Sequence, residues 1–408
     1  MGTEAEPGNW KQKALALIGG GLGVLCLAGL GLYSFLTTMS TPLYTDPQAV
    51  PSVTNAAPSQ KWADAVERGR QLARAGLVEQ NLPGLSVAVG AGGEIVWAEG
   101  FGWADLATRV PLAPGMRFRI GHASKAVTSA AVGLLLEKGR LRLDDEIQTY
   151  VPAFPRKEWP VTLRQLMGHV AGVRHYEDEL DFMPSAHCER ASEGLQLFAN
   201  DPLRFEPATQ YGYSTFGWIL VSAAVEATAG EPFFTFMRTQ IFKPLAMTDT
   251  TFDSAIAPVA DRATFYYEGF MGDPRSGREQ EIKIDYSCFA GAGAILSTPS
   301  DLVRFGNAVG SDRLLQPDTV TRLQTPQVLA SGEETAYGLG WMLETAQLGG
   351  APTRLAGHAS RTVRGGSTSF LTFPERGIVV AVTTNIAGKD TKSIALGIAE
   401  AFAEQRAP

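Results

Sequence analysis

The chain has 408 residues, 45% hydrophobic and 19% charged, the make-up of one large or two medium globular domains. A net charge of −7 with no dense Lys/Arg block argues against a nucleic-acid partner. Three cysteines are too few for a disulfide framework.

Ala14 to Leu36 is an uncharged apolar run of 23 residues. As a helix it is about 35 Å long, enough to span a bilayer. Lys11 and Lys13 precede it, and no Lys or Arg follows until Lys61. Residues 1–13 are therefore expected in the cytoplasm and the main domain outside, in the periplasm of a Gram-negative cell. The run is long for a signal peptide and no Ala-x-Ala site follows promptly, so we read an uncleaved transmembrane anchor at 14–36. Residues 37–59, rich in Thr, Ser, Pro and Ala, read as a flexible tether.

A helical pattern follows, with Trp62, Val66, Ala73 and Leu77 on one face. Leu85 to Val89 and Ile95 to Ala98 flank a Gly-rich turn, the signal of a hairpin. Ser124 to Lys138 is expected as a helix closed by Gly139. Residues 141–250 read as helical and loop-like, with Thr162 opening one helix and Thr215 to Thr228 forming another. Thr298-Pro299-Ser300-Asp301 marks a helix start. Phe370 to Phe373 and Gly377 to Thr383 form a second hairpin around Pro374-Glu375-Arg376, and a last helix covers about 393–405. Strand-rich ends (about 60–140 and 285–408) should combine into one antiparallel sheet flanked by helices. The middle (about 141–284) should form a helical lobe, with a ligand site at the boundary. Cys188 and Cys288 could pair in an oxidising compartment, but the plainer reading is two separate small core residues.

The chemistry concentrates in Phe118 to Thr128, an extended segment turning into a helix. There His122 precedes Lys125 by one helical turn. A reacting group at a helix N-terminus, with a lysine one turn on to share its proton, suits acyl transfer. No lysine in the chain has Ser or Thr three positions before it. Ser124 points about 200° away from position 122, into the core.

The ordered set Phe118-Arg119-Ile120-Gly121-x-x-Ser124-Lys125, Leu166 to Gly172, Tyr213-Ser214-Thr215, Tyr337 to Trp341 and Gly357-His358 resembles the serine β-lactamase-like proteins of the class C and DD-peptidase branch. Val151 to Pro155 and the Tyr-Ser-Thr variant resemble the mitochondrial β-lactamase-like branch and its bacterial relatives. The resemblance covers roughly 62–403. It implies an α/β (α+β) sandwich with an all-helical lobe. It also implies hydrolysis of an amide or ester in a small molecule or peptide through an acyl-enzyme, with no metal or other cofactor. It assigns Lys125 as base, Tyr213 as proton shuttle and His358 as a donor across the cleft. The backbone N–H of position 122 becomes half of an oxyanion hole.

Two departures stand out. His122 replaces the nucleophilic serine, and His358-Ala359-Ser360-Arg361 replaces a His-x-Gly-Gly strand. A neutral imidazole can attack an activated carbonyl or serve as base to a water. Ser360 and Arg361 then line the substrate edge, where Arg361 either narrows it or offers a fork to a carboxylate. The plain alternatives are that His122 caps the helix, Tyr213 is core and His169 braces a loop. His175 and His187 show no metal-ligand spacing. Two functions remain open: a membrane-anchored hydrolase using His122, or an inactive relative whose cleft binds a ligand or partner.

Overall fold

The structure is a computed structural model that describes residues 42–55, 60–177, 187–256, 259–267, 284–361 and 365–405, with Gly29 and Asp181. The anchor expected at 14–36 lies, apart from Gly29, outside the described residues. Among the described residues no helix is long and apolar enough to cross a membrane.

The two ends of the chain build one antiparallel sheet. Its strands are β1 (Ser52–Thr54), β2 (Gly84–Ala91), β3 (Glu94–Asp105), β4 (Val110–Pro111), β8 (Met342–Leu348), β9 (Ala351–Arg361), β10 (Ser367–Phe373) and β11 (Ile378–Thr384). The order is β1-β3-β2-β11-β10-β9-β8, with β4 on β3. The N-terminal and C-terminal hairpins join where Val89 pairs with Val380 and Val87 with Val382. Short strands β5 (Phe118–Arg119), β6 (Thr251–Phe252) and β7 (Ile295–Ser297) form a second sheet.

Both faces of the large sheet are covered, which matches the unbroken apolar run at 378–382 and the fully buried run at 85–89, Ser86 included. Val87, Val89, Val380 and Val382 face α1 (Ala63–Glu79) and α8 (Thr391–Glu404), where Trp62, Trp97 and Phe402 pack together. Ala88, Phe370, Val379 and Ala381 share the opposite core with α2 (Ser124–Glu137), α4 (Thr215–Ala229) and α6 (Pro299–Val309). Helix α4 is buried on all sides through Glu226, as expected of a helix apolar around its circumference. Helix starts follow the expected chemistry. Thr162 and Gln165 form a capping box on α3 (Leu163–Met167), and Thr298 accepts from the Asp301 N–H at α6.

Two expectations are corrected. The tether reading of 37–59 fails for its described part. The Leu43 N–H donates to Asn81 Oδ1, the Tyr44 hydroxyl to the Pro83 carbonyl, and Ser52–Thr54 adds an edge strand to β3. Composition alone missed it because strand pairing satisfies backbone groups whatever the side chains. Second, Cys188 and Cys288 form a disulfide, their Cα atoms 4.8 Å apart and 100 residues distant in sequence. The bond ties the loop before 3-10 segment Ala191–Leu197 to the 3-10 segment Ser287–Ala292. Sequence separation carries no information about such proximity.

A cross-link closing a loop of this length removes roughly 4–5 kcal/mol of unfolded-state freedom. Cys288→Ser, or reductant on the native chain, is expected to lower unfolding stability by that order in denaturant titrations. An unchanged midpoint would show that the bond adds nothing.

Candidate active site

Three elements from different parts of the chain converge. The turn between β5 and α2 supplies His122 and Lys125, the start of α4 supplies Tyr213 and Thr215, and β9 supplies His358 and Ser360. Gly121 makes the turn at φ 51°, a region that favours glycine, and the ring of the next residue lies 5.3 Å from that of Tyr213 and 6.0 Å from that of His358. Helix α2 has no side-chain cap at its N-terminus, so the capping reading of His122 is wrong. Its Nε2 instead lies 3.2 Å from the Tyr176 hydroxyl and 3.4 Å from Thr215 Oγ1. Ser124 is fully buried in the core, as its angular position predicts.

Lys125 is also fully buried. Its Nζ donates to the Ala292 carbonyl at 3.2 Å and to Thr215 Oγ1 at 3.4 Å, and sits 5.0 Å from the Tyr213 ring centroid. Burial holds its pKa well below the ordinary lysine range. The 3-10 segment carrying Ala292 is the one held by Cys288. Gly340, at φ 97°, lets a loop pass against α2, because a Cβ there would meet Trp218 at 2.6 Å and the Lys125 carbonyl at 3.0 Å.

Ser214 caps α4, accepting from the Gly217 N–H at 3.0 Å, which leaves Tyr213 just outside the helix and Thr215 as its first residue. Two imidazoles complete this helix end. His169 Nδ1 accepts from the Ser214 N–H and His175 Nδ1 from the Thr215 N–H, each at 3.1 Å. These bonds place the ring proton on Nε2 in both. His169 braces its loop as expected, from a backbone at φ 60°, and its carbonyl accepts from the Gly212 N–H. Its ring packs on Tyr213 and Tyr337 at 4.1 and 4.6 Å.

His358, only 2% exposed, has Nε2 3.1 Å from the Tyr337 hydroxyl and 3.4 Å from that of Tyr213. Burial, then the Lys125 amine, pushes its pKa down to about 3. Burial and Lys125 also depress His122 strongly and bring His175 to about 4. Tyr213 is pushed well above the usual phenol value by burial. Among the described residues no carboxylate hydrogen-bonds to Lys125 or to these four histidines. The backbone N–H of His122 donates to Ser360 Oγ at 3.2 Å. Arg361 closes β9 opposite Ser367, and its side chain is outside the described residues.

His175, Tyr176, Thr215 and Tyr337 thus belong to the site without having been singled out for it. Tyr337 and Thr215 lay inside quoted motifs, and His175-Tyr176 stands close after the Leu166–Gly172 motif. His187 stands apart, its Nδ1 facing both Asp285 Oδ2 at 2.9 Å and Ser287 Oγ at 3.3 Å. A Ser-His-Asp relay needs both ring nitrogens, so this trio braces the disulfide region instead.

The imidazoles of His122, His169, His175 and His358 bind a proton less readily folded than unfolded. As pH falls below about 6.5 the unfolded chain protonates first, and stability present above that pH is lost down to about pH 3 for His358. At roughly 1.4 kcal/mol per unit, His358 alone removes about 2 kcal/mol by pH 5. Unfolding midpoints measured from pH 7 to 4 are expected to fall steeply, and His358→Gln to flatten the slope. Lys125→Met is expected to raise stability at pH 7 by about 0.5–2 kcal/mol, since it removes an amine whose desolvation opposes folding. A loss of stability in that variant would mean that the amine's hydrogen bonds outweigh its desolvation.

The sequence matches the Beta-lactamase family over residues 67–403. It is 30% identical to the human mitochondrial serine beta-lactamase-like protein LACTB, across 85% of this chain and 81% of that one. It is 28% identical to penicillin-binding protein 4* of Bacillus subtilis, across 64% and 60%. The fold is similar to the octameric penicillin-binding protein homologue from Pyrococcus abyssi, with TM-score 0.71, 23% identity and 81% and 76% coverage. It is also similar to the D-amino acid amidase of Ochrobactrum anthropi solved with L-phenylalanine amide, with TM-score 0.68, 23% identity and 84% and 98% coverage.

Proposed function

The chain belongs to the beta-lactamase family, and from that premise we propose that it hydrolyses an amide or ester bond with His122 in place of a serine nucleophile. The observation that carries this is the cluster itself: His122, its pKa held down by burial, lies beside a buried Lys125 with Tyr213 and His358 close by, and among the described residues no carboxylate hydrogen-bonds to any of them. A neutral imidazole has two routes. In one, its nitrogen bonds to the carbonyl carbon, the leaving group departs with a proton from the Tyr213 side, and water then cleaves the acyl-imidazole. In the other, a water attacks the carbonyl and its proton passes to His122, then to the leaving group. Thr215 Oγ1, 3.4 Å from both Lys125 Nζ and His122 Nε2, couples the amine to the imidazole. The neutral Tyr213 phenol is the proton donor facing the leaving group.

The substrate is a small amide or ester, or a peptide. The amidase named above, crystallised with an amino acid amide, supports that class. The apolar run 14–36 anchors the domain to a membrane in this reading, so carbonate extraction of the full chain should leave it with the lipid, and removal of residues 1–36 should release it. Recovery of the intact chain in the soluble fraction argues against the anchor.

A second reading is a cleft that binds such a ligand without cleaving it. The observation favouring it is that the His122 N–H is already taken by Ser360. Turnover of p-nitrophenyl acetate separates the two. His122→Ala is expected to lose about 10²–10⁴-fold, the usual worth of a positioned acid-base group. Intact mass then tells the routes apart, since only direct attack leaves a transient acyl adduct. Equal rates in native protein and His122→Ala would falsify the hydrolase reading.

A further inference from the structure

The backbone N–H of the residue that carries the reacting group is the donor nearest to the carbonyl it attacks. When that group is a short hydroxyl, this N–H can reach the developing oxyanion directly. An imidazole nitrogen stands further from the backbone than a hydroxyl does, and a water activated by it stands further still. A carbonyl positioned for His122 therefore lies too far out for the position-122 N–H to serve it. In this chain that N–H does not face open cleft. It donates to Ser360 Oγ at 3.2 Å, from a strand residue only 1% exposed.

The other half of that hydroxyl is unspent. Ser360 Oγ accepts the His122 N–H, and among the described residues its own proton has no acceptor. A buried donor without an acceptor is rare in folded proteins and costs about 1–3 kcal/mol when nothing satisfies it. Accepting from an N–H polarises the hydroxyl and strengthens it as a donor. Ser360 lies on β9 two residues after His358, so it faces the same cleft wall as that imidazole.

We infer that the Ser360 hydroxyl is the oxyanion donor of this site, relaying the His122 N–H outward by one oxygen to match the longer reach of the histidine. His122 and Ser360 are then a compensating pair, each suited to the other and neither suited to a serine at position 122. The inference rests on the hydrolase reading for its native role. Its geometric core, that Ser360 occupies the donor, stands without it.

The test has two arms, with circular dichroism and thermal melts confirming that each variant folds. In the first, native protein turns over p-nitrophenyl acetate. Ser360→Ala is expected to lower kcat about 10²–10³-fold with KM nearly unchanged, the loss typical of one oxyanion donor. Ser360→Thr, which keeps the hydroxyl, should recover most of it. A Ser360→Ala enzyme as fast as native overturns the donor role. In the second arm, His122→Ser and the double variant His122→Ser/Ser360→Gly are exposed to a fluorescent penicillin, and intact mass follows acylation. The double variant should acylate at least about 10²-fold faster, because its short nucleophile now meets a freed N–H. Equal acylation of single and double variants, or none in either, overturns the inference. Inert native protein with a reactive double variant would sink only the hydrolase reading, leaving Ser360 as the group that fills the donor.

Discussion

The site is governed by one constraint: the Lys125 amine is fully buried and, among the described residues, no carboxylate hydrogen-bonds to it. Burial disfavours the charged ammonium and holds the lysine pKa well below its ordinary range. The same low-dielectric surroundings then act on every titratable neighbour. His122, His169, His175 and His358 are all depressed, each partly by Lys125. Protonating any one would raise the cost of the next, and the cluster titrates as a coupled unit rather than as separate residues.

The depressed imidazoles set what chemistry is open. Held unprotonated, they offer lone pairs and polarised protons to whatever occupies the site. Two of the four imidazoles have Nδ1 committed to the N-terminus of α4. They fix that helix end and, with it, Tyr213 and Thr215. His122 and His358 keep Nε2 against hydroxyl groups, which can donate or accept as a reaction proceeds. The division is between imidazoles that hold the frame and imidazoles that face the cleft.

Much of this was legible in the sequence. The β5–α2 turn, both hairpins and the helix starts at Thr162 and Thr298 rest on local rules, and the structure keeps them. Lys125, Tyr213 and His358 were readable because they sit inside motifs whose order mirrors their convergence. What was hidden depends on long-range geometry. The Cys188–Cys288 bond joins positions 100 residues apart, and nothing local marks it. His175 and Tyr176 come from a loop whose path is set by Ser214, whose hydroxyl donates to the Arg174 carbonyl. The edge strand at 52–54 exists because β3 offers it a partner, not because of its own side chains.

The same constraint weighs the two functional readings. A cleft that only binds a ligand has no need of a buried amine, and a methionine of similar length would fill the space without the desolvation. Lys125 is nevertheless held by a carbonyl on a disulfide-tied segment, by Thr215 and by the face of Tyr213. That support makes sense if the lone pair of a neutral amine is used, because a destabilising group kept in place by several elements is the usual mark of a working site. The Ser360 contact on the His122 N–H then reads as a change of geometry rather than a loss of function. On the proposed reading the reacting atom stands further from the backbone, and the oxyanion donor moves outward with it.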